Sequence, residues 1–207
     1  LFRSSDVSTY NRHPNPSDEH PYRLGFPLSC TSPVSSGPPS SFLCTQGEGG
    51  ELTHFFSGNF HALDFRCPIG TELLAVADGI VVETEDKNTL TGISVTNLFK
   101  WNSIMIAVQS YDENDPCIGG PLFVEYVHIS KSLVKLGQVV KRGQAIGYSG
   151  SVGFSPEPHL HFSAFRSSDP EAPTVRVLFD SDKTGRDAFL PRAGKWYDSR
   201  GEVDKPN

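Results

Sequence analysis

The sequence has 207 residues, 37% of them hydrophobic and 20% charged, which suits one globular domain with extensions, or one domain with a small appendage. A net charge of −6 argues against nucleic acid or an anionic membrane as partner, since both select basic surfaces. No run approaches the length of apolar sequence that spans a bilayer, and the start, Leu1-Phe2-Arg3-Ser4-Ser5-Asp6, has neither a signal-peptide pattern nor an initiator Met, as expected of a mature or trimmed form.

Residues 1–41 form a Pro/Ser-rich arm, with Pro14, Pro16, Pro21, Pro27, Pro33, Pro38 and Pro39 spread through it. Proline lacks the amide donor that helices and ladders need, so the arm is expected to be irregular. Its end, Ser35-Ser36-Gly37-Pro38-Pro39-Ser40-Ser41, looks like a linker. From Phe42 to Arg166 the pattern changes to short β-type runs broken by Gly, Asp and Asn: Leu73–Val76, Gly79–Glu83, Ile104–Val108, Leu122–His128 and His159–Phe165. The run Ile104-Met105-Ile106-Ala107-Val108 is apolar throughout, as in a strand buried on both faces. Helical periodicity is nearly absent, with at most a helical turn at 132–136. The fold class is therefore mainly β, and the polar stretch 167–207 is expected to pack only in part on the 42–166 domain.

Cys30, Cys44, Cys67 and Cys117 show no CxxC spacing, which disfavours a structural zinc or a redox motif. Their even number suits two disulfides in an oxidising compartment, with four free buried thiols as the alternative. Three connectivities exist, and Cys30–Cys44 with Cys67–Cys117 is the expected one.

Of seven histidines, His13 and His20 lie in the arm, where solvated side chains are the simplest account. In Pro158-His159-Leu160-His161-Phe162, strand alternation puts His159 and His161 on one face, roughly 7 Å apart, where both can serve one site. An H-x-H pair alone is a weak signal, and His128, in Val127-His128-Ile129, is weaker, because strand histidines are often only hydrogen-bonded. Asp64, between Leu63 and Phe65, is more telling: a carboxylate in an apolar strand is costly to bury unless paired or metal-bound. Two histidines and one aspartate make a donor set that leaves a fourth position open for water, the arrangement of a catalytic zinc.

The segment Gly137-Gln138-Val139-Val140-Lys141-Arg142-Gly143-Gln144-Ala145-Ile146-Gly147-Tyr148-Ser149-Gly150, leading into His-Leu-His-Phe, resembles a turn-rich block of the lysostaphin/LytM-type zinc endopeptidases. Asp64-Phe65-Arg66-Cys67-Pro68-Ile69-Gly70-Thr71 through Asp78-Gly79-Ile80-Val81 resembles a second block, and Val127-His128-Ile129 a third. The three occur in family order over about residues 42–166. The resemblance implies the duplicated-hybrid-motif fold, an antiparallel β core and one Zn2+ per chain. It assigns Asp64 and His161 as metal ligands, and His128 and His159 as the histidines that orient or deprotonate the attacking water and stabilise the oxyanion.

The first ligand departs from the family pattern His-x-x-x-Asp, which would fall on Phe60. His61 and His54 compete for the role. His61 faces away from Asp64 on a regular strand and would need a bulge, whereas a Ser57-Gly58-Asn59 turn lets His54 fold back, as in family members with a "S-H…Y-A-x-D-F" pattern. His54 is favoured, leaving His61 to line the cleft or to pack. Asn59 or the arm could in principle block the metal, as an upstream Asn does in latent members.

The resemblance implies a zinc metalloendopeptidase that hydrolyses peptide bonds, in peptidoglycan cross-links or Gly-rich peptides, by a zinc-activated water. Its site would read His54, Asp64 and His161 for the metal, with His128 and His159 catalytic. The alternative is a non-catalytic binding or signalling module on the same fold, which retention of His128 and His159 argues against. A secreted or periplasmic monomer acting on a peptide or on peptidoglycan is expected. The acidic charge raises one tension, because enzymes that attack anionic walls often carry basic surfaces.

Overall fold

The computed structural model describes residues 21–31, 41–109, 121–169, 172–183 and 187–206. His13, His20, Cys117 and most of the Ser35–Ser41 tract lie outside these residues. Fifteen strands occur among the described residues: β1 (Tyr22–Leu24), β2 (Phe42–Gln46), β3 (Leu63–Arg66), β4 (Glu72–Leu74), β5 (Gly79–Glu85), β6 (Ser103–Val108), β7 (Leu122–Val127), β8 (Lys131–Ser132), β9 (Val139–Val140), β10 (Ala145–Tyr148), β11 (His159–Phe165), β12 (Val177–Asp180), β13 (Ala188–Phe189), β14 (Trp196–Asp198) and β15 (Gly201–Val203). The expected β class is found, and five of these strands overlap the five runs read from the sequence. Among the described residues, helix is limited to one 3₁₀ turn, Val95–Asn97; positions 132–136, read as holding at most a helical turn, are the end of β8 followed by a turn at Leu136-Gly137.

The main sheet has the order β15-β14-β2-β3-β11-β7-β6-β5-β9, with every neighbouring pair antiparallel. A smaller antiparallel sheet has the order β4-β10-β8. Tyr126 of β7 links the two: its buried hydroxyl accepts from Val76 N and donates to Leu74 O, both at 2.9 Å. β11 is buried along its whole length, on both faces of the sheet. Leu160, Phe162 and Ala164 face the core, where the Phe162 ring meets Tyr126 at 5.3 Å and Phe179 at 5.6 Å. The opposite parity, His159, His161 and Ser163, is thereby fixed toward the site. A one-residue slip would exchange the two sets, so the aromatic core also specifies which way the histidines point.

The arm is not irregular throughout. Tyr22–Leu24 pairs in parallel with β12, and Phe26 enters the core, its ring 5.5 Å from Phe65 and 5.6 Å from Phe179. Pro21 and Pro27 bracket a segment just long enough for three ladder residues, so proline density limited the strand without forbidding it. The C-terminal stretch also does more than pack in part, since β14 pairs with β2 in the main sheet. The Cys30–Cys44 bridge is not formed: Cys30, Cys44 and Cys67 are free thiols. Cys44 is buried on β2 with its thiol donating to Gln46 O at 3.2 Å, and burial pushes its pKa up to about 12, which makes it an inert core residue. The partner expected for Cys67, Cys117, is outside the described residues.

Candidate metal centre

Gln46, Asp64 and His161 occupy one row across β2, β3 and β11. Asp64 is paired with His161 on one side and, after a register shift between Cys44 and Gln46, with Gln46 on the other. Side chains directly opposite on neighbouring strands share a face, and here they touch: His161 Nδ1–H donates to Asp64 Oδ1 at 2.8 Å, and Gln46 Nε2 donates to Asp64 Oδ2 at 2.7 Å.

His54 arrives from the excursion between β2 and β3. Its Nδ1–H donates to Gly47 O at 3.0 Å; because a carbonyl can only accept, this fixes the tautomer and leaves a lone pair on Nε2. That atom is buried, has no hydrogen-bond partner, and lies 3.4 Å from Asp64 Oδ1. A lone pair and a carboxylate oxygen converging in a buried space need a proton or a metal cation between them. Burial pulls the His54 pKa down, but Asp64 outweighs it and the net shift is upward. Burial likewise pushes the Asp64 carboxyl up, and the surrounding His54, His159 and His161 outweigh it, holding it well below the ordinary carboxylate range. One ligand atom each from His54, Asp64 and His161 all lie within 4.8 Å of one another, so the three residues present fit a divalent ion.

His128 and His159 flank this group, with ring centroids 4.6 Å apart. His159 Nδ1–H donates to Glu157 O at 2.8 Å, which turns Nε2 toward the site, 3.9 Å from Asp64 Oδ1. His128 follows β7 with φ 66°, a left-handed backbone that costs an L residue about 1–2 kcal/mol. The conformation swings the ring inward, where Nδ1–H donates to Val152 O at 2.7 Å and Nε2 is buried without a hydrogen-bond partner. Burial, then the neighbouring His159 and His161, hold the His128 pKa well below its ordinary value. Gly150 explains part of the motif that precedes the His-Leu-His strand: a Cβ there would stand 2.6 Å from His128 O, so only glycine lets the strained His128 backbone pass.

His61 lies outside the group. Its Nδ1–H donates to Glu48 Oε1 at 2.8 Å, away from Asp64. Asn59 is a turn residue whose amide Nδ2 lies 3.5 Å from Thr53 O. A cleft of about 490 Å³ opens beside the site, lined among others by Gln46, Thr53, Asp64, Ile93, Phe154 and His159. Gln46 was missed in the sequence, and its signal is faint: only the bulge between Cys44 and Gln46 brings its side chain opposite Asp64.

A buried pair of histidines and a carboxylate beside two further imidazoles, at the floor of an open cleft, is the donor arrangement of metal-dependent hydrolases. Sequence comparison agrees, for the model of peptidase family M23 matches residues 59–173, and the chain belongs to that family. His54 precedes the matched segment. The glycyl-glycine endopeptidase ALE-1 of Staphylococcus capitis is 39% identical over 111 residues, 54% of this chain and 26% of that protein. The peptidoglycan DD-endopeptidase ShyA of Vibrio cholerae is 36% identical over 99 residues, 48% of this chain and 18% of its own length. The chain thus spans about a quarter or less of these curated relatives. The crystallised catalytic domain of lysostaphin from Staphylococcus simulans superposes with a TM-score of 0.43 and 32% identity, covering 65% of this chain and 86% of that domain. Among the described residues no helix is long and apolar enough to cross a membrane.

Proposed function

We propose that the protein is a zinc metalloendopeptidase that hydrolyses peptide bonds in peptidoglycan cross-links or Gly-rich peptides, outside the cytoplasmic membrane. The observation that carries the proposal is the convergence of the unpartnered His54 Nε2 with Asp64 and His161. Zinc is the metal that suits two imidazoles and a carboxylate: donor atoms about 2.0–2.1 Å from a tetrahedral ion lie about 3.3–3.4 Å apart, and His54 Nε2 and Asp64 Oδ1 are 3.4 Å apart. The shorter His161–Asp64 contact is a hydrogen bond; for Nδ1 to hold the metal, the neutral His161 imidazole would take its other tautomer, with the proton on Nε2. When bound, zinc supplies Lewis acidity toward the scissile carbonyl and lowers the pKa of water.

The chain's own groups supply the rest. His159, with its Nδ1–H held by Glu157 O, presents Nε2 as an acceptor for the proton of the attacking water. His128 is kept neutral by burial, so it too can accept or pass a proton at Nε2, toward the leaving amine. Gln46 and the Gly47 carbonyl orient Asp64 and His54. Residues 42–166 contain all five of these acid–base and ligand residues and form the proposed peptidase unit. The names of ALE-1 and ShyA support the choice of substrates, and peptidoglycan lies outside the cytoplasmic membrane. The test is to incubate zinc-loaded protein with purified peptidoglycan and with oligoglycine peptides. New amino termini that disappear with a chelator are expected; zinc-loaded protein that cleaves neither substrate would refute the proposal.

A further inference from the structure

His54 sits on the excursion 47–62, which contains no strand. A ligand there has no ladder to hold it to the sheet that carries Asp64 and His161. Turns inside the excursion, such as His54 N to Gly50 O at 3.0 Å and Gly49 N to Phe60 O at 2.8 Å, fix it only relative to itself. Gln46 ties its leading flank through Thr53. Another tie comes from residues 174–176, more than a hundred positions away in sequence.

Thr174 N and Oγ1 both donate to Ser57 O, at 2.9 and 3.0 Å, and Thr174 Oγ1 accepts from His61 N at 3.0 Å. Arg176 then grips Glu48 with a fork: Nε donates to Oε1 and Oε2 at 2.8 and 3.0 Å, and Nη2 to Oε2 at 2.8 Å. Glu48 Oε1 also accepts from His61 Nδ1–H at 2.8 Å. The clamped residue adjoins Gly47, whose carbonyl sets the orientation of His54. Two-point Arg–carboxylate contacts fix geometry as well as charge, and this one is largely removed from water, with the Glu48 side chain 12% exposed and that of Arg176 27%. Burial pushes the Glu48 carboxyl up, but His61 and Arg176 outweigh it and keep it ionised. Arg176 also lies beyond the segment that matches the family model.

We propose that Arg176, acting through Glu48 and His61, is a positioning residue for the metal ligand His54, so that the C-terminal extension sets the affinity of the metal centre. The inference rests on the reading of His54 as a ligand. It also gives His61 a role, as the inner member of the clamp.

The test is zinc affinity by competition with a chelator, measured on the full chain for Arg176→Ala, Arg176→Lys and Glu48→Gln, each in the native and the His54→Ala background, with the melting temperature of the metal-free protein recorded in parallel. Partners that orient a ligand typically contribute 10–100-fold to affinity. Arg176→Ala and Glu48→Gln are expected to lose that much in the native background, and Arg176→Lys, which keeps the charge but loses the fork, an intermediate amount. In the His54→Ala background the same changes should have no further effect on residual affinity, which a merely structural loss would not reproduce. If Arg176→Ala proves too unstable to purify, Arg176→Lys and Glu48→Gln decide. Native-background affinities within twofold of the parent, or equal losses in both backgrounds, overturn the inference while leaving the peptidase reading intact. If His54→Ala itself binds zinc as the parent does, the ligand reading falls and the clamp with it.

Discussion

Replacing Gln46 by Leu removes the contact that joins the two halves of the proposed ligand set. Its Nε2 donates to Asp64 Oδ2 at 2.7 Å and to Thr53 Oγ1 at 2.9 Å, while its Oε1 accepts from Thr53 N at 3.0 Å. One side chain therefore orients the carboxylate and anchors the residue before His54. A hydrogen bond to a charged group contributes about 1.5–3 kcal/mol, and leucine, of similar size but apolar, leaves Asp64 Oδ2 without that donor. An orienting partner of a metal ligand contributes 10–100-fold in affinity, about 1.4–2.7 kcal/mol, so the two estimates agree. Zinc affinity measured against a competing chelator should fall by that factor. Thr45→Val is the control, because among the described residues the Thr45 hydroxyl bonds only the backbone oxygen of Asp64, at 3.4 Å, and it should leave affinity within about twofold, the scatter of a near-neutral substitution. If Gln46→Leu binds zinc as tightly as the parent, the orienting role assigned to Gln46 is wrong.

His54→Ala should lose zinc during dialysis while His61→Ala keeps most of it, since losing an orienting contact such as His61–Glu48 costs about 10–100-fold in affinity and losing a ligand costs more; metal analysis of both after identical dialysis decides. His128→Ala or His159→Ala should keep the metal but lower turnover by roughly 100-fold or more, the scale of acid–base groups, and loss of metal in either would reassign it as a ligand. Metal-free protein should lose stability as pH falls from about 6.5. Burial holds the His128 pKa well below its ordinary value and that of His161 near about 4, so the unfolded chain takes up protons that the fold refuses. Asp64, also depressed, adds a loss at lower pH still. His54, shifted upward, works in the opposite sense, and its contribution is lost as pH rises through its folded value. The two depressed histidines outnumber it, and a urea midpoint higher at pH 5 than at pH 7.5 would contradict this balance.

What the sequence revealed of this site follows from periodicity. His159 and His161 share a face because strand side chains repeat every two residues, and Asp64 stood out as a carboxylate between Leu63 and Phe65. Contacts that depend on register or on distant chain were invisible. Gln46 meets Asp64 only through a bulge, and Arg176 meets Glu48 across 128 positions. The first ligand was read as His54 over His61 from the Ser57-Gly58-Asn59 turn and the parity of His61, but 47–62 has no period that fixes which histidine faces the sheet. At the N-terminus, proline count hid the three-residue strand at Tyr22–Leu24. For the cysteines, an even number said nothing of direction, and Cys44 turns its thiol into the core.

The most direct test of the account is a crystal structure of the zinc-loaded protein with anomalous data collected on both sides of the zinc edge. One anomalous peak is predicted, about 2.0–2.2 Å from donor atoms of His54, Asp64 and His161, with His128, His159 and His61 outside bonding distance. A peak ligated by His61 or His159 in place of one of the three, or no peak within the row of Gln46, Asp64 and His161, would contradict it.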